Sequence, residues 1–179
     1  MKDLELFGLA LAMVDREVDQ EDLDSEYPSK EVRLCRRYLP SAITRALREF
    51  DWSFLTVKLT LDATKDVGGY AGYSHGYELP ADLLKLVPMN PWYPYEVNAG
   101  RLYCDEEMPP AYGIFKTLPA TGVPNDFMEL IAYSLAYLMA PMLSPGGTLD
   151  QMILQRYTWV LSGLTTSECK NNSREPDNR

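Results

Sequence analysis

Apolar residues in positions 124–143, PNDFMELIAYSLAYLMAPML, fall all round a helical wheel instead of along one stripe. Such a helix has no wet side, so it is expected in the middle of a core. Pro124 and Asn125 precede it, and Asp126 with Glu129 three residues on makes a capping-box-like start. Pro141 and the run Ser144-Pro145-Gly146-Gly147 signal its end. It carries fourteen uncharged residues from 130 to 143, Tyr133, Ser134 and Tyr137 among them. A membrane span needs roughly 18 or more, so the pattern predicts a buried helix without a membrane.

Three other stretches repeat every three to four residues. Leu4, Phe7, Leu11 and Val14 predict a helix over about 2–14. Val32, Cys35, Leu39, Ile43, Ala46 and Phe50 predict another over 29–50, capped by Ser29 and kinked or broken at Pro40. Met152, Ile153, Tyr157, Val160, Leu161 and Leu164 predict a last helix over 149–164, capped by Thr148. Between them the period falls to two. Residues 52–62, WSFLTVKLTLD, predict a strand, as do 83–89. Runs 95–97 and 101–104 around Asn98-Ala99-Gly100 predict a hairpin, and 111–116 one more strand on the same sheet. Residues 65–76 are expected as a glycine- and tyrosine-rich loop and 77–82 as a turn. The acidic stretch 15–28 is expected as a loop or short exposed turn, and 165–179 as a flexible C-terminal tail. The fold class is therefore α+β, mainly α. About four helices bundle, and a small antiparallel β insertion, about 53–118, enters between the second and third. Residues 1–164 form a single domain.

Charge changes this picture more than composition does. Residues 1–28 hold two cationic and nine acidic side chains, a net −7; residues 29–50 hold six and two, a net +4. Either these are solvated faces that pair within one subunit, or the basic face of one copy meets the acidic segment of the next. The second option makes Arg33, Arg36, Arg37, Arg45 and Arg48 one side of a subunit interface, and Glu17, Asp19, Glu21, Asp22 and Asp24 the other. The overall charge of −9 argues against a protein that coats DNA. Three widely spaced cysteines make no disulfide framework and point to a reducing compartment. Residues 6–12 end in Ala10-Leu11-Ala12 like a signal peptide, but Asp3 and Glu5 stand where basic residues belong, so export is not expected.

Chemistry is hard to find. His75 is the single histidine, so a His/Cys zinc site has little support. Asp15, Asp19 and Asp22 lack the glycine and terminal glutamate of a calcium loop. There is no Gly-x-Ser-x-Gly elbow, and the glycine loop has no Gly-Lys-Ser/Thr ending. No enzyme activity, cofactor or metal is expected. A hydrolase built on distant carboxylates is the enzymatic alternative. A nucleic-acid-binding module using the basic helix, with Lys30 and the five arginines, is the other.

The order of segments resembles the bacteriophage head-to-tail adaptor family, tail tubular protein A-like. The likeness lies in several pieces taken together. An arginine-bearing helix runs into an aromatic stop, Ala42-Ile43-Thr44-Arg45-Ala46-Leu47-Arg48-Glu49-Phe50-Asp51-Trp52-Ser53-Phe54. Leu79-Pro80-Ala81-Asp82 leads into a strand, Gly100-Arg101-Leu102-Tyr103 sits in a hairpin, and Pro124-Asn125-Asp126-Phe127 opens a helix. The likeness spans about residues 30–165; the acidic segment and the glycine loop depart from it. The resemblance implies a structural virion protein assembled in the host cytoplasm. It implies a ring, usually of twelve copies, between the portal protein and the tail nozzle protein, with DNA passing through the lumen without sequence-specific binding. It also implies portal docking by the C-terminal segment, here Thr165, Thr166, Ser167, Glu168, Lys170, Arg174 and Arg179.

Overall fold

A computed structural model describes residues 3–62, 68–87, 94–107, 109–143 and 148–172. Among these residues there are five α-helices and two three-stranded antiparallel sheets. Contacts divide the chain into two compact units: Met1–Phe50 with Thr121–Arg179, and Asp51–Ala120.

The first unit is helical. It contains α1 (Asp3–Ala12), α2 (Gln20–Asp24), α3 (Lys30–Glu49), α4 (Asn125–Leu143) and α5 (Thr148–Asn172). Helix α4 packs against α1, α3 and α5, so its all-round apolar pattern is matched by neighbours. Phe127, Leu130, Ile131, Leu135 and Met139 are fully buried. Ala132, Ala136 and Ala140, also fully buried, repeat every four residues and leave room for close helix approach. By length and composition alone this helix could cross a membrane, but those apolar side chains are covered by protein.

Helix α3 runs unbroken through Pro40; of the kink or break expected there, the break does not occur. Ser29 caps it, its hydroxyl accepting from the Val32 N–H at 3.2 Å. Helix α4 starts at Asn125, so Asp126 lies in its first turn. Its first turn bonds back to Pro124, whose carbonyl accepts from the Phe127 and Met128 N–H groups. At the other end, the Lys30 ammonium donates to the Met142 carbonyl at 3.0 Å and the Arg16 guanidinium to that of Leu143 at 3.5 Å. Two cations thus satisfy carbonyls at the negative end of the helix.

The second unit holds the strands β1 (Val57–Leu59), β2 (His75–Glu78), β3 (Leu83–Val87), β4 (Tyr95–Asn98), β5 (Arg101–Cys104) and β6 (Ala111–Phe115). One sheet has the order β1-β6-β3 and the other β2-β5-β4. Both contribute to one apolar cluster: Leu59, Ala111, Leu83 and Leu86 from the first, Tyr77, Leu102 and Cys104 from the second. The hairpin β4–β5 pairs Asn98 with Arg101 across a two-residue turn. Ala99 and Gly100 have φ of +49° and +75°, the left-handed pair that such a turn requires.

The expected fold class needs correction. Among the described residues there are five helices, not about four, and the strands follow the third helix. They form two sheets in a unit of their own, not a small insertion between the second and third helices. Strand β6 joins β1 and β3, not the hairpin. The stretch 52–62 forms a 3-10 turn, Ser53–Leu55, before a strand of three residues. The cause is local: the Trp52 carbonyl accepts from the Leu55 N–H at 3.1 Å and from the Thr56 hydroxyl at 2.8 Å, so it is taken up before the ladder begins. Tyr77 and Glu78, expected in a turn, belong to β2.

Two segments expected without structure are helical. In the acidic stretch, Asp19 caps α2 by accepting from the Asp22 N–H at 2.7 Å. Residues 165–172 continue α5. That run holds no proline or glycine, and the Thr165 and Thr166 hydroxyls donate back to carbonyls one turn earlier at 3.0 and 2.7 Å. Of the expected tail, 173–179 lie outside the described residues, as do 63–67 and 88–93, which include Trp92, Tyr93 and the last two residues of the strand expected over 83–89.

Candidate functional site

The two charged segments meet first within the subunit. Asp22 accepts from the Ser29 N–H at 2.7 Å, so the acidic helix α2 is tied to the cap of the basic helix α3. The Arg36 guanidinium donates to the Leu23 carbonyl at 2.6 Å. Arg16 and Glu31 pair at 3.9 Å. The bonds from Ser29, side chain then backbone, hold the Asp22 carboxyl below its usual range, with the Arg36 charge adding to them against a small cost of burial. Asp22 and Arg36 are therefore partly committed to their own chain. Asp24 accepts from Gln20 at 2.8 Å. Glu17, Asp19 and Glu21 are exposed.

Arg45 is committed further. Its guanidinium lies 5.1 Å from the Tyr137 ring centroid and 4.7 Å from that of Tyr157, and 3.7 Å from the Glu49 carboxylate. The Tyr157 hydroxyl donates to the same carboxylate at 2.7 Å. One cation thus joins α3, α4 and α5. Burial first, and then the bond to Glu49, push the Tyr157 phenol upward. An open basin of about 550 Å3 beside this cluster is lined by Pro40, Ser41, Thr44, Arg45, Arg48 and Glu49.

Arg33, Arg37 and Arg48 are exposed. Among the described residues, Arg33 and Arg37 form no ion pair; Arg37 only lies over the Tyr38 ring, at 5.6 Å from its centroid. The five arginines grouped by sequence therefore separate into Arg45, built into the bundle; Arg36, bonded to α2; and an outward-facing set.

Sequence reasoning missed the outer face of α5. Trp159 is 70% exposed and Met152 63%. They lie seven residues apart, two turns of helix, and so share a face. The signal is present, because Met152 and Trp159 bracket Arg156 at helical spacing, but the apolar period that predicts the helix counts Met152 with the inward-facing positions. Beside Trp159 runs a groove of about 350 Å3, with Val160, Gly163 and Leu164 on one side and Asp126 and Glu129 at the start of α4 on the other. Of the predicted docking segment, Thr165, Thr166, Ser167, Glu168 and Lys170 lie on α5, with Glu168 buried. Arg174 and Arg179 lie outside the described residues.

Among the described residues, the groups with shifted acidity lie apart. Among the described residues, no three His, Cys, Asp or Glu side chains are placed to hold a metal. Cys35 is buried in the bundle, 3.5 Å from the Met139 sulfur, and burial followed by the Glu31 charge pushes its thiol up to about 12, the reverse of an activated nucleophile. The displaced carboxyl, Asp22, is depressed, the reverse of a general acid. In the β unit, Tyr70 packs on Tyr103 at 5.0 Å between centroids, and the Ser74 N–H and hydroxyl both donate to Asp105 at 3.0 and 3.1 Å. These bonds hold the described part of the glycine loop on its own sheet. No protein-family model matches the sequence, and no curated protein matches it.

Proposed function

We propose that this chain is a structural virion protein: one subunit of a head-to-tail adaptor ring that joins a portal protein to a tail nozzle and lets DNA pass. It turns over no substrate. The observation that carries this reading is the outer face of α5, where Trp159 and Met152 stand in solvent. A large exposed aromatic is a feature of protein interfaces. The ordered likeness of segments across residues 30–165 supplies the class of partner.

The nucleic-acid alternative loses ground from the same geometry. Arg36 and Arg45 are held within the subunit, which thins the cationic row a phosphate backbone would need.

The test is to mix the purified chain with the portal protein of its phage and image the product by negative stain. Rings seated on portal are expected, with no binding to DNA that is lost as salt rises. A chain that stays monomeric with and without portal refutes the reading. Docking through the C-terminal segment is tested by two truncations. Removing 173–179 should weaken portal binding and leave the helical unit's melting temperature unchanged. Removing 165–179 also takes the last turns of α5, so it should lower both.

A further inference from the structure

The helical unit carries two complementary surfaces that its own fold keeps apart. The first is the groove beside Trp159. Its floor is apolar, from Val160 and Leu164, and Gly163 leaves open space where a side chain would stand. Its other wall carries Asp126 and Glu129, whose carboxylates make no ion pair or side-chain hydrogen bond among the described residues. An indole face beside two carboxylates suits a guanidinium, which stacks on the ring while its N–H groups reach the oxygens. The second surface is the outer face of α3, where Arg33 and Arg37 project one turn apart. Asp126 and Glu129 also stand about one turn apart, so two cations and two anions have matching spacing.

These surfaces cannot pair within one subunit. Lys30, Cys35 and Tyr38 touch Met142 and Met139, so the Arg33 end of α3 lies beside the C-terminal end of α4. Asp126 lies at the opposite end. Thirteen residues separate it from Met139, about 20 Å at ~1.5 Å per residue, far beyond the reach of an arginine side chain. The acidic segment 17–24 offers Arg33 and Arg37 no ion pair among the described residues.

We infer that the α4–α5 groove receives Arg33 and Arg37 of a second copy, so that copies associate head to tail. The contact is heterologous, because groove and arginine face are different surfaces at opposite ends of α4, and repeating it builds a ring or a filament. The inference rests on the assembly reading for its biological purpose, and it replaces the acidic segment with the groove as the complement of the basic helix.

Sedimentation of the full chain, across a range of concentration and salt, tests it. The wild type should self-associate, and salt should weaken the association. Asp126→Lys with Glu129→Lys, or Arg33→Glu with Arg37→Glu, should each weaken it by at least about tenfold, and Trp159→Ala by about tenfold. An equimolar mixture of the two charge-reversed proteins should associate again, since each then offers the other two complementary faces. Circular dichroism checks that each variant keeps its helices. A wild type that is monomeric throughout, reversed variants that associate as the wild type does, or a mixture that stays apart overturns the inference. Portal binding is measured on the same proteins. Portal binding with self-association indifferent to these charges overturns the groove and leaves the adaptor reading standing. Charge-dependent self-association without portal binding does the opposite.

Discussion

Replacing Arg45 by alanine should destabilise the helical unit without touching a subunit interface. The side chain makes two cation–π contacts, with Tyr137 and Tyr157, and an i,i+4 pair with Glu49. Each cation–π contact contributes about 0.5–1 kcal/mol, more where water is excluded. The ion pair adds about 0.3–0.5 kcal/mol. The sum is about 1.3–2.5 kcal/mol, a sizeable share of a typical folding free energy. Arg45→Lys keeps the charge and loses the planar stack, so it should cost about half as much. Urea unfolding followed by circular dichroism reads both values, provided the slope with denaturant is unchanged. Coupling is read from a double-mutant cycle with Tyr157→Leu, where about 0.5–1 kcal/mol is expected. A loss below about 0.5 kcal/mol for Arg45→Ala, or a cycle that closes to zero, would show that the ring contacts contribute nothing. Self-association should survive Arg45→Lys, which separates this arginine from Arg33 and Arg37.

Two further outcomes follow from buried groups. The Ser134 hydroxyl is fully buried on α4 and has no hydrogen-bond partner among the described residues. Ser134→Ala removes that cost and improves helix propensity, so it should stabilise by about 1 kcal/mol; a loss greater than about 0.5 kcal/mol in the same denaturation assay would refute the account. The raised Cys35 and Tyr157 values make stability fall with alkaline pH. An unfolded thiol releases its proton from about pH 8.5 and an unfolded phenol from about 10, while the folded groups retain theirs. Their contribution is thus complete below those values and is lost as pH rises, for Cys35 up to about 12. Denaturant midpoints measured from neutral to alkaline pH should decline, and Cys35→Ala should flatten the first part of the decline. A slope unchanged by that substitution would remove Cys35 as its source.

Helices α1, α3, α4 and the first part of α5 were legible in the sequence because a helix is a local object. Its period, its Ser29 cap and the uncharged run before Leu143 are all written within one segment. The hairpin was legible for the same reason, since Asn98-Ala99-Gly100 supplies the left-handed turn. Tertiary structure decided what depended on distant partners. His75 to Glu78 became a strand because β5 lies beside it, and β6 joined β1 and β3 because Leu59, Ala111 and Leu83 share one cluster. The polar run 165–172 has a composition that suits a tail, but it continues a packed helix. The sharpest difference lies in the arginines. As letters, Arg33, Arg37 and Arg45 are equivalent positive charges on one helix. Only packing shows that Arg45 turns inward onto two rings while Arg33 and Arg37 face out, because which side of α3 is covered is set by α4 and α5, more than a hundred residues away in the chain for α5.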